Sequence, residues 1–170
     1  MRNKIILYVI LIFTFVTTQV TFLNFVSIFG VTPNLVIILI VSISLLEGRI
    51  DGATVGFFAG LCLDSVIGVA LGYNALIGMF LGLLLGNTNK RFFKENILVM
   101  TICTFISTIL YESAVIFVTY LLGYEINFLS TIKNTIILEA LINSVLGLAI
   151  FFVIIQINRK VNGSESKNRY

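Results

Sequence analysis

Apolar residues run through this chain in six blocks, at about 5–29, 33–46, 53–70, 74–86, 97–122 and 132–157, divided by short polar breaks. Runs of this length and apolarity predict membrane-spanning helices. The breaks carry helix punctuation. Thr32-Pro33 reads as an N-cap followed by proline at the first helical position, and Asp51 and Asn74 are further cap candidates. Lys90, Arg91 and Lys94 mark the segment 87–96 as aqueous. The first block exceeds the 7–15 apolar residues of a signal-peptide core and lacks an A-x-A-like cleavage site, so it is expected to be a retained span. The polar tail NRKVNGSESKNRY (158–170) is too short to fold alone and is expected to be disordered.

Composition fixes the class. Hydrophobic residues make up 58% of the 170 and charged residues only 11%, with a mean hydropathy of +1.07, against roughly 25% charged in soluble domains. No water-soluble surface can be built from that inventory, and no second domain fits. Basic residues then orient the chain. With six spans and a cytoplasmic N-terminus, Arg2, Lys4, Arg49, Lys90, Arg91, Lys94, Arg159, Lys160, Lys167 and Arg169 all face inward, leaving only Lys133 outside of the 11. Both termini are therefore expected in the cytoplasm. The net charge of +3 is a topology signal, not a nucleic-acid footprint, although the same residues could also meet anionic lipid.

The second block is short. Fourteen residues give roughly 21 Å of helix, less than a ~30 Å hydrocarbon core. A re-entrant hairpin of 33–46 and 53–70 would keep the same charge parity. Its tip, however, would hold Glu47, Arg49 and Asp51 near mid-membrane, at about 2.5–3.5 kcal/mol each. Six full crossings avoid that cost.

Glycine spacing is the most informative local feature. Gly52, Gly56, Gly60, then Asp64, then Gly68 and Gly72 recur every fourth residue, and after Asn74 the step returns at Gly78, Gly82 and Gly86. Lipid is as apolar as leucine, so membrane helices associate by close backbone packing along small-xxx-small stripes. The stripes predict a tight seam for the third and fourth helices, against each other or against a partner. Asp64 continues the seam as a carboxyl in the bilayer. Two more acids lie at depth, Glu112 in the fifth span and Glu139 in the sixth. Helical rise puts all three at nearly one level in the outer half. No basic side chain of the chain reaches that level, so at least one carboxyl is expected to be protonated or paired with a polar group such as Asn74 or Asn143. A cation or ligand pocket, a proton relay and a contact to a partner helix are the functional options, and a hydrogen-bonded acid inside the bundle is the structural one. If Asp64 is protonated, Asp64→Asn should be milder than Gly56→Leu or Gly60→Leu.

Histidine is absent, and Cys62 and Cys103 sit in apolar segments as small packing residues. There is no nucleophile–base set, metal-ligand spacing or phosphate-cradling loop. No enzyme, cofactor or metal is expected.

Residues 33–86 carry a resemblance. PNLVIILIVSISLLEG (33–48), GATVGFFAGLCLDSVIGVALGYNAL (52–76) and the glycine-spaced helix after them resemble the rod shape-determining protein family MreD, whose members show G-x-x-x-G-x-x-x-G-L-x-x-D followed by L-G-x-N-A-L. Here these are Gly52, Gly56, Gly60, Leu61 and Asp64, then Leu71, Gly72, Asn74, Ala75 and Leu76. The resemblance implies an all-α polytopic membrane protein, a six-helix bundle like the S-components of vitamin transporters. It also implies a non-enzymatic scaffold of the cell-wall elongation machinery in the bacterial cytoplasmic membrane. Its expected partners are a bitopic MreC-like protein, an MreB-like actin, and the glycan polymerase and transpeptidase pair. The rival reading is the substrate-binding S-component of an energy-coupling-factor vitamin transporter, with the three carboxyls as the floor of a pocket open to the outside. The absence of Trp and the short outer segment 123–131 weigh against it. A proton- or cation-coupled carrier would need two comparable halves, and no internal repeat is visible.

Overall fold

The computed structural model describes residues 2–23, 27, 30–67, 70–87, 96–124 and 135–167. It is all-helical, with no β-strand among these residues. The helices are α1 (Arg2–Thr18), extended by a π-helical turn at Gln19–Leu23, then α2 (Leu35–Glu47), α3 (Arg49–Ile67), α4 (Tyr73–Gly86), α5 (Ile97–Leu121) and α6 (Ile137–Lys167). Three stretches are long and apolar enough to cross a membrane: Lys4–Thr21, Ile97–Leu121 and Ile137–Lys160. Leu35–Glu47 and Tyr73–Gly86 are shorter apolar helices.

The shortest helix is the centre of the molecule. Every residue of α2 from Val36 to Leu46 is at most 2% exposed, and α2 touches all five other helices. A helix apolar on every side is a buried one, and here the burial is against protein. Its 13 residues give about 20 Å of length. α2 ends at Gly48, whose φ of 99° is left-handed territory that glycine enters without strain. The Gly48 N–H donates to the Ser44 carbonyl, and α3 starts at the next residue. Ser42 and Ser44, buried in α2, donate their hydroxyls to the carbonyls of Ile38 and Ile40, so neither demands a partner outside the helix.

The first and last helices meet at the end of α2. Lys4 of α1 forms an ion pair with Glu47 at the end of α2, and the Asn158 side-chain amide of α6 donates to the same carboxylate at 2.6 Å. Glu47 thereby ties three helices that are far apart in sequence. The Lys4 side chain is more than a quarter exposed, so solvent weakens its share of that tie. The Glu47 side chain itself is only 6% exposed, so Lys4→Ala, which leaves that carboxylate with less compensation, is expected to cost about 1–3 kcal/mol, or about 2–12 °C in melting temperature in detergent.

Several expected boundaries move. Thr32-Pro33 does not cap α2; Asn34 does, its side chain accepting from the Ile37 N–H at 3.3 Å. Asp51 is no cap either, because α3 already begins at Arg49 and Asp51 lies in its first turn. The N-cap of α4 is Gly72, and Asn74 stands inside the helix. α6 continues to Lys167, past the boundary expected at 157. The apolar run ends there, but Arg159, Lys160 and Glu165 are good helix formers, and a long helix propagates through them once nucleated. Cys62 and Cys103 are free thiols. The basic residues 90, 91, 94, 133 and 169 used for orientation lie outside the described residues.

Candidate functional site

The two glycine stripes face each other. α3 and α4 run antiparallel in a constant register: Gly52 lies against Gly82, Gly56 against Gly78, Gly60 against Asn74 and Ala75, and Arg49 against Gly86. A Cβ at Gly56 would lie 2.6 Å from the Gly78 carbonyl carbon, and one at Gly60 would lie 2.6 Å from the Ala75 Cα. One at Gly82 would reach 2.7 Å from the Ala53 nitrogen. These neighbours are backbone, so no rotamer change can relieve the overlap. Gly52 also faces α2, where an added Cβ would sit 2.8 Å from the Ser44 Cβ. Gly72 is different. It has open space around it and is required by its φ of 104° in the turn that starts α4. Gly68 lies outside the described residues.

Asp64 closes this seam by capping α4 from a distance. Its Oδ2 accepts the backbone N–H groups of Gly72 (3.0 Å) and Ala75 (3.1 Å). Its Oδ1 accepts the backbone N–H of Asn74 (3.2 Å) and the Asn74 side-chain amide (2.9 Å). Gly72 has no side chain to offer, so a residue of the preceding helix supplies the acceptors. The Asn74 Oδ1 in turn accepts the Tyr111 hydroxyl at 2.9 Å, which ties α5 to the same point. Asp64, Asn74 and Tyr111 are all at most 3% exposed.

Burial explains the need for an acid here: the start of α4 is enclosed, with Asp64 2% and Asn74 3% exposed, so water cannot serve its N–H groups. The first N–H groups of a helix have no intrahelical acceptor, and the bilayer offers none. The two oxygens of Asp64 supply those acceptors from within the same chain.

The start of α2 repeats the solution with different residues. The Leu35 N–H donates to the Gln19 Oε1 at 2.7 Å, and the Gln19 side-chain amide donates to the Pro33 carbonyl at 3.1 Å. The Asn34 N–H donates to the Asn143 Oδ1 of α6 at 2.8 Å. The Asn34 side-chain amide donates to Glu112 of α5 at 3.1 Å. The Asn143 amide faces Thr108 at 3.2 Å and Glu139 at 3.5 Å. Asn34 joins Glu112 of α5 to the start of α2, and Asn143 joins that same start to Thr108 and Glu139. The three acids thus form two sets: Asp64 serves α4, while Glu112 and Glu139 gather around the start of α2.

A glutamine keeps an acceptor for Asn34 and brings its own donors. Glu112→Gln is therefore expected to leave the amount of membrane-inserted protein and its melting temperature within about 1 kcal/mol of wild type, whereas Glu112→Ala should lower both. A collapse with Glu112→Gln would show that the acid itself is required.

Asn34, Gln19 and Tyr111 were not singled out by sequence reasoning. A polar residue inside an apolar block is the signal they share, and Thr104, Ser107, Thr108 and Tyr111 also recur at helical spacing on α5, all buried. Among the described residues no group of three or more His, Cys, Asp or Glu is placed to hold a metal ion.

No curated protein matches the chain, and no solved structure matches it. A family model does: the one described as rod shape-determining protein MreD matches residues 1–157, a span that takes in the α3–α4 seam, Asp64 and both sets of buried polar groups. The chain belongs to the MreD family of rod shape-determining proteins.

Proposed function

We propose that this chain is a non-enzymatic, multi-pass scaffold of the cell-wall elongation machinery. It crosses the cytoplasmic membrane six times, with both termini inside, and holds the membrane helix of a bitopic MreC-like protein. Through that partner it is joined to an MreB-like actin and to the glycan polymerase and transpeptidase. The observation that carries this reading is the family match over residues 1–157. The meeting of Lys4, Glu47 and Asn158 at one end of the bundle supports the orientation, as does the inward bias of the basic residues.

The glycine seam and the buried acids act in this scaffold as its frame. Gly52, Gly56, Gly60, Gly78, Gly82 and Gly86 are consumed in packing inside the bundle, and the acids bond to groups of the same chain. Partner contact therefore falls to the outward-facing side chains, such as Phe13 of α1, Phe80 of α4, Phe117 of α5 and Phe152 of α6, each more than half exposed. These side chains otherwise meet lipid.

Affinity purification of the tagged protein from native membranes in mild detergent tests the reading. Recovery of an MreC-like protein with wall synthases is the expected result. Recovery of a paired ATPase with its membrane coupling subunit would replace the scaffold with a transporter component. Photocrosslinkers at positions 13, 80, 117 and 152 then locate the contact, and one helix is expected to dominate the adduct with the bitopic partner.

A further inference from the structure

We draw no further inference here: the strongest candidate, the cluster of Glu112 on α5 and Glu139 on α6 beside the start of α2, is an acidic cluster whose polar neighbours Asn34, Thr108 and Asn143 bond within it, and nothing in the structure points to a ligand.

Discussion

Gly56→Ala and Gly78→Ala are each expected to deplete the folded protein from membranes, although each adds a single methyl group. The Cβ at Gly56 would overlap the Gly78 peptide, and a Cβ at Gly78 would sit 2.6 Å from the Gly56 carbonyl oxygen. Overpacking a core by a methylene typically costs 1–3 kcal/mol when side chains can shift. Here two backbones must separate along a register shared by Gly52, Gly60, Gly82 and Gly86, so the loss should exceed about 3 kcal/mol. That is a large part of the 5–15 kcal/mol that holds a typical fold. Leucine at either position should be worse. Gly72→Ala is the comparison that isolates the cause. It strains a positive φ at about 1–2 kcal/mol but meets no atom within 4 Å. Membrane abundance and the melting temperature of detergent-solubilised protein should therefore rank wild type, Gly72→Ala, then Gly56→Ala and Gly78→Ala together. If Gly56→Ala melted at or above Gly72→Ala, close backbone contact would not be what holds α3 on α4.

The same seam shows what the sequence makes legible and what it hides. A four-residue glycine step is a property of one helix, so it can be read from a linear string. Because both stripes carry it in matching register, the α3–α4 contact could be anticipated from Gly52 to Gly86. The central place of α2 could not. Leu35–Glu47 is as apolar as a lipid-facing span, and since lipid and leucine are equivalent solvents, hydropathy does not tell a helix wrapped by protein from one wrapped by acyl chains. Its shortness reads as a mismatch with the bilayer until its neighbours are seen to enclose it.

Caps were misread for a related reason. Rules for helix starts look one to three residues away, whereas α4 is capped by Asp64 from the preceding helix, and α2 by Asn34 together with Gln19 and Asn143. The three acids were legible as polar groups inside apolar blocks, and Asn74 and Asn143 as partners for them. Their division between two helix starts was not, because it depends on where α2 and α4 begin. That division also bears on the transport reading: the carboxyls that would floor an outward pocket are engaged with Asn34, Asn74, Asn143 and backbone N–H groups of the chain itself.

Asp64→Asn is expected to be severe, which reverses the mild effect anticipated for a protonated acid. Both oxygens of Asp64 act as acceptors, each for two N–H donors, and three of the four donors are backbone groups at the start of α4. An asparagine must turn its own NH2 toward one of those donor pairs. Two N–H groups then lose their acceptor and face a donor, in a site 2% exposed where water cannot compensate. Orphaned buried donors cost about 1–3 kcal/mol each, so a total of roughly 2–6 kcal/mol is expected, or about 4–24 °C in melting temperature. Asp64→Leu should do more, since all four donors are stranded. Tyr111→Phe probes the outer link of the same chain and removes only the donor to the Asn74 Oδ1, for about 1 kcal/mol. Glu112→Gln serves as the reference for a buried acid that tolerates its amide. Hydrogen exchange separates the local cause from general damage: in Asp64→Asn the amides of Gly72, Asn74 and Ala75 should exchange faster than those of α5 and α6. If Asp64→Asn melted within a degree of wild type, with those amides still protected, Asp64 would not be the group that lets α4 begin in a buried site.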